Sequence, residues 1–180
     1  MVDTRVSGQF YIAGSHFVSF DRDALPYEKA LLWFAAPPTE EEDEDFICGQ
    51  DDASFPLHDL TTMGIPSAVA QRGHDYYMDN KVRYLCLDGT RGRAIVEGSH
   101  IYEVEFDYRN GQISGLVCSC FCSGPCKHEF ATLLQLREAL EFIEKHYAAE
   151  YEATGYFAAI LKSALFSFAI DGKESGSFTL

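Results

Sequence analysis

The chain reads as an α+β protein: an antiparallel β-meander followed by a long helix, joined by a structural zinc site, with mixed α/β N- and C-terminal extensions. Three observations predict this. Residues 81–117 alternate apolar and polar with turn dipeptides between the runs, residues 130–147 repeat at the helical period, and three cysteines and a histidine stand between the two.

Residues 8–20 alternate loosely through Phe10, Ile12, Phe17, Val18 and Phe20, with Gly14 between, and are expected to form a short hairpin. Residues 23–36 read as a helix, with Pro26 in its first turn, Ala30, Leu31 and Phe34 as its apolar stripe, and Pro37-Pro38 as its stop. The acidic run 39–45 reads as a solvated loop or helix start, with a docking strip for a basic partner as the sharper alternative. Gly64-Ile65-Pro66 opens a short helix over 67–72, which Gly73 is expected to close.

From Tyr76 the period becomes two. Strands are predicted over 81–87, 93–97, 101–108 and 113–117; in the third, Tyr102, Val104 and Phe106 alternate with Glu103, Glu105 and Asp107. Asp88-Gly89, Gly98-Ser99 and Asn110-Gly111 supply the turns, the last being the strongest hairpin signal. After His128, the residues Phe130, Leu133, Leu134, Leu136, Leu140, Ile143 and Tyr147 share one helical face. Gly155 breaks that helix, 156–165 reads as another, and 166–180 as a terminal hairpin; its mid-strand ending predicts a piece of a longer protein. The pattern divides into an acidic N-terminal extension (1–64), a zinc module (65–147) and a C-terminal helix and hairpin (148–180).

Charge is uneven. The total is −14, made of −10 over residues 1–67, zero over 68–137 and −4 over 138–180, so the cysteine-bearing middle is neutral and its flanks are acidic. Such a balance opposes a general nucleic-acid-binding role. No apolar run is long enough to span a bilayer, and the start lacks a secretory pattern, so a reducing cytoplasmic setting is expected. Cys48 and Cys86 stand apart in sequence and read as small buried apolar residues.

Cys118-Ser119-Cys120 and Cys126-Lys127-His128 place three thiols and an imidazole within eleven residues. That is the ligand number and chemistry of a closed tetrahedral zinc site, which is structural because no position is left for water. Ser123-Gly124-Pro125 supplies a return bend, Cys126 is expected at the cap of the long helix and His128 in its first turn, where the positive dipole end favours thiolate charge. Zinc would then tie the last strand to the helix. Cys122 makes a second, overlapping C-x-C with Cys120; the pair Cys118/Cys120 is preferred because Cys120/Cys122 leaves three residues to turn towards Cys126.

These residues resemble the SWIM zinc-finger family, whose pattern is C-x-C, a variable spacer, then C-x-H. Ala70-Gln71-Arg72-Gly73, Tyr76-Tyr77, Lys81-Val82, Ala94-Ile95-Val96-Glu97-Gly98-Ser99 and Tyr102-Glu103-Val104 resemble the stretch that leads bacterial SWIM modules, and Cys126-Lys127-His128-Glu129-Phe130-Ala131 resembles the ligand pair and opening helix. The likeness covers about residues 65–147; the spacer is short for the family and Cys122 is an addition. The resemblance implies a Zn2+-binding module for protein or DNA interaction, found alone or appended to ATP-driven helicases, transposases or ubiquitin-related proteins.

Two functions follow as expectations. The first is a non-catalytic module whose partner is a protein or another domain of the same polypeptide, with no membrane and no small-molecule substrate. The alternative is direct DNA binding through Arg72, Lys81, Arg83, Arg91, Arg93, Arg109 and Lys127, with Tyr76, Tyr77 and Tyr84 available to stack bases. Catalysis is not expected. The chain has no phosphate-cradling glycine loop, Cys-x-His-Glu lacks the H-E-x-x-H geometry, and His16, His58, His74, His100 and His146 are scattered singly.

Overall fold

The computed structural model describes residues 9–34, 48–50 (as backbone), 53–120, 122 and 124–166. The four strands read from alternation form where expected: β5 (Val82–Asp88), β6 (Arg91–Glu97), β7 (Ile101–Arg109) and β8 (Gln112–Cys118). They pair consecutively and antiparallel. At the β7–β8 turn Asn110 and Gly111 both take left-handed backbone angles, with φ of 50° and 79°, as a tight two-residue hairpin requires.

The meander is the middle of a larger sheet. β1 (Tyr11–Ala13) and β2 (His16–Ser19) form the expected hairpin, β3 (Cys48–Gln50) and β4 (Phe55–Pro56) pair with β8, and β9 (Tyr156–Leu161) runs between β2 and β5. The order is β1-β2-β9-β5-β6-β7-β8-β3, so strands from all three sequence stretches share one sheet. Against expectation, β9 is a strand and not a helix, although helical backbone follows at 162–166. All six of its residues, Tyr-Phe-Ala-Ala-Ile-Leu, are buried, because a central strand covered on both faces shows no alternation to read.

The helices divide between the faces. α2 (Ser67–Met78) and α3 (Lys127–His146) accompany one face, where Leu85, Leu87, Val96, Val104 and Phe106 join Leu133, Leu136 and Ile143 in the core. α1 (Tyr27–Phe34) lies with the other, where Leu25, Tyr27 and Ala30 meet Tyr84, Cys86, Ile95 and Ile160. Cys86 is thus a buried apolar residue, as expected. The helix expected over 67–72 runs on to Met78, so Gly73 does not close it. A Cβ on this residue would lie 2.8 Å from the Phe130 Cβ and 3.0 Å from the Lys127 carbonyl, so glycine here lets α2 approach α3. The acidic run 39–45 and residues 167–180 of the expected terminal hairpin lie outside the described residues.

One irregularity decides what β8 presents to the helix. Between the pairs Glu105–Val117 and Asp107–Ser114, β8 carries one residue more than β7, and Gly115 there has a φ of 57°. This is a β-bulge, and it changes the parity of the strand. Ile113 is buried before it; Leu116 and Cys118 are buried after it. An unbroken alternation from Ile113 would have turned Val117 inwards and Cys118 out.

Candidate metal centre

The bulge delivers Cys118 to the interior at the end of β8, beside the N-terminus of α3. Cys126 is the N-cap of that helix in an extended conformation, with φ −118° and ψ 166°, and its Sγ accepts a hydrogen bond from the Glu129 backbone N–H at 3.4 Å. In return the Cys126 backbone N–H donates to Glu129 Oε2 at 3.0 Å. This is a capping box with cysteine in the place usually held by serine or threonine. His128 follows within the first turn, so the cap and the first turn of one helix supply two donors, and β8 and the bend after it supply the others.

Cys118, Cys120, Cys126 and His128 converge, their ligating atoms all within 4.8 Å of one another. His128 Nδ1 lies 3.7 Å from Cys118 Sγ and 3.8 Å from Cys126 Sγ. Zinc–ligand distances of about 2.3 Å to sulfur and 2.0–2.1 Å to nitrogen give a tetrahedral N···S edge of about 3.6 Å, so these two contacts are within about 0.2 Å of the required length. All four side chains are at most 3% exposed. Soft thiolate and imidazole donors match zinc, whereas calcium and magnesium require a cage of oxygens.

Electrostatics describe the same pocket before any ion acts on it. Burial raises the Cys120 thiol pKa; the hydrogen bond with Cys118, and then burial, raise Cys126. Cys118 is drawn down by Cys126 but pushed up by burial and by Cys120, with a net rise. Backbone N–H groups work the other way at each sulfur: Cys120 lowers Cys118, Cys122 lowers Cys120 and Glu129 lowers Cys126. Burial, assisted by Lys127, lowers His128 to about 4, which keeps its imidazole in the neutral form a metal binds. A bound cation would draw the three thiols to thiolates and release protons.

The imidazole is held by rings. Tyr102 stacks on it at 4.1 Å and 22°, and Tyr76 meets it edge-on at 5.5 Å. Nothing in the sequence reading singled out these contacts, the Glu129 half of the capping box or Gly115. A glycine inside a strand pattern, and glutamate three residues after Cys126, are the signals that mark the last two. Cys48, read as remote, is brought close by pairing: the β3–β8 register sets it opposite Cys118.

The seven cationic residues do not gather into one patch. Arg83 pairs with Glu97 at 2.8 Å, Arg91 with Glu105 at 3.1 Å and Arg93 with Glu28 at 3.0 Å, and Arg93 also lies over the Tyr27 ring. Lys127 Nζ sits 4.5 Å above Tyr76. Arg72, Lys81 and Arg109 make no ion pair among the described residues, and Arg109 ends β7 opposite Gln112, at the other end of the β7–β8 ladder from Cys118. Of the single histidines, His16 is buried and donates from Nε2 to the Val82 carbonyl, 2.8 Å away.

No described helix is long and apolar enough to cross a membrane. No family model matches the chain, and neither a curated protein nor a solved structure does.

Proposed function

We propose that the chain is a zinc-stapled module of the SWIM type that acts without catalysis, docking on a protein partner or on another domain of its own polypeptide, such as a helicase core. The observation that carries this reading is the closed, buried donor set of Cys118, Cys120, Cys126 and His128. Four such donors satisfy zinc fully and leave it no place for water or substrate, so its binding energy goes into holding α3 to β8. The net charge of −14, and the engagement of Arg83, Arg91 and Arg93 with carboxylates, favour a protein partner over a phosphate backbone.

The nucleic-acid reading keeps one local foothold. Lys127 lies over Tyr76, Arg72 precedes Tyr76 by one turn of α2, and the Lys81 N–H bonds the Tyr76 carbonyl at 2.9 Å. Two measurements test the proposal. Elemental analysis of the purified chain should find one zinc per chain, and titration with single- and double-stranded DNA at low salt should find no binding. Binding that falls steeply as salt rises would replace the protein-docking reading with the nucleic-acid one.

A further inference from the structure

The two ring nitrogens of His128 meet different surroundings. Nδ1 faces the thiols, 3.7 Å from Cys118 Sγ and 3.8 Å from Cys126 Sγ. Nε2 is enclosed and makes no hydrogen bond among the described residues. A ligating histidine is ordinarily oriented by a hydrogen bond from its other nitrogen to a carboxylate or carbonyl. Packing takes that part at His128, through three residues from three elements. Tyr102, on β7, lies nearly parallel to the imidazole, with centroids 4.1 Å apart and planes at 22°. Tyr76, on α2, stands at 66° to it with centroids 5.5 Å apart. Gly98, in the turn between β6 and β7, closes the Nε2 end. A Cβ on this glycine would lie 3.5 Å from Nε2, 3.0 Å from Tyr102 Cε2 and 3.1 Å from Tyr76 Oη.

We infer that Tyr102 and Gly98 are positioning residues that select Nδ1, and not Nε2, as the nitrogen offered to the metal. This rests on the zinc reading above and deepens it. An imidazole can present either nitrogen to zinc, and the choice decides where the rest of the ring must lie. Here Nε2 points to the Gly98 backbone, on the side of the ring away from the thiols. Turning it towards the thiols would lift the imidazole off the Tyr102 face and forfeit the stacking contact. Because that stack does not involve the metal, the ring is set beforehand, and binding loses less rotamer freedom. Gly98 matters for the side chain it lacks. Alanine at this position would press on Tyr102, Tyr76 and Nε2 together, so the imidazole and both aromatic neighbours would have to move.

The test uses the full chain loaded with zinc, its metal content measured first. Long-range proton–nitrogen correlation NMR of the His128 ring should show Nδ1 bound to the metal and Nε2 protonated; bonding through Nε2 overturns the inference. Tyr102→Leu should weaken zinc affinity by about tenfold or more in chelator competition, measured where circular dichroism shows the metal-free variant still folded. Tyr102→Phe keeps the ring, loses only the hydroxyl and should bind as the wild type does. With cobalt(II) in place of zinc, Tyr102→Leu and Gly98→Ala should shift the visible ligand-field bands, while Tyr102→Phe should keep the wild-type spectrum. If Tyr102→Leu does not fold without metal, the wild-type nitrogen assignment and the Gly98→Ala cobalt spectrum decide. Equal affinities for Tyr102→Leu and Tyr102→Phe, with unshifted cobalt bands, reduce Tyr102 to a packing residue; that overturns the inference and leaves the zinc reading standing. A chain that takes up neither zinc nor cobalt overturns both.

Discussion

Helices α3 and α1 lie with opposite faces of one sheet and are fastened to it by different chemistry. α1 is held by an apolar cluster around Tyr27 and Ala30, a hydrogen bond from the Tyr27 hydroxyl to Glu103 at 2.7 Å, and the Arg93–Glu28 pair. None of those contacts calls for a metal ion. α3 shares a larger apolar face, but its cap and first turn also carry two of the four candidate metal donors, Cys126, whose thiol the hydrogen bond with Cys118 and then burial keep protonated, and the neutral His128. With zinc bound as proposed, the α3 side would depend on an ion and the α1 side would not.

Removing the metal should give the largest effect. A strong chelator at neutral pH is expected to lower stability by several kcal/mol, a fraction of the roughly 10–16 kcal/mol apparent for small zinc fingers. Trp33, the single tryptophan, sits on α1 and reports its side of the sheet. Circular dichroism from α3 should respond to chelator before Trp33 fluorescence does; identical midpoints would show that the two faces share one fate.

The bulge comes next. Gly115→Val places a β-branched residue at φ 57°, with its Cβ 3.1 Å from Asp107 Oδ2, and should cost about 2 kcal/mol or more in thermal or urea unfolding. Because the same glycine sets the parity of Cys118, zinc affinity should fall as well. A loss of stability with unchanged affinity would separate the bulge from the metal centre.

Cys126 has two roles that can be parted. Without zinc, Cys126→Ser keeps an oxygen to cap α3, whereas Cys126→Ala does not, and alanine should be less stable by about 1 kcal/mol. With zinc present, both variants should show the same loss of affinity. Equal stability without zinc would mean that the thiol does no capping.

The smallest effect is a pH slope on the α3 side that owes nothing to the metal. Burial lowers the His16 pKa below 6.5, outweighing its bond to the Val82 carbonyl and the pull of Glu138, while Arg83 and Lys162 lower it further. The unfolded chain then binds the proton more readily, so this contribution is full above pH 6.5 and is lost as pH falls from there through the lowered folded value. His16→Gln should show a shallower fall in stability than the wild type below pH 6.5, both compared at the same zinc concentration. Parallel slopes would remove His16 from the account.

Much of this was legible in the sequence where one face of an element is wet. The alternation of Tyr102, Val104 and Phe106 against carboxylates marked β7, and Asn110-Gly111 marked its turn, because water leaves a polar imprint on the exposed side. The donor set was legible for another reason: Cys118, Cys120, Cys126 and His128 are close in sequence, and ligand chemistry constrains residue type as well as spacing. β9 was not legible, since neighbours on both sides and cover on both faces leave only an apolar run that suits a helix equally. Gly73 misled for a related reason, as a glycine needed for close approach looks the same in one dimension as a helix stop.

The central position of β9 sets a timetable for assembly. Its partners, β2 and β5, are made long before it, and neither pairs across the gap until residues 156–161 have left the ribosome. The N-terminal hairpin must therefore wait, with the β5 flank uncovered, for a strand more than 130 residues downstream of Ser19. Nascent chains halted before Tyr156 should be the ones that chaperones hold and that self-associate through open strand margins.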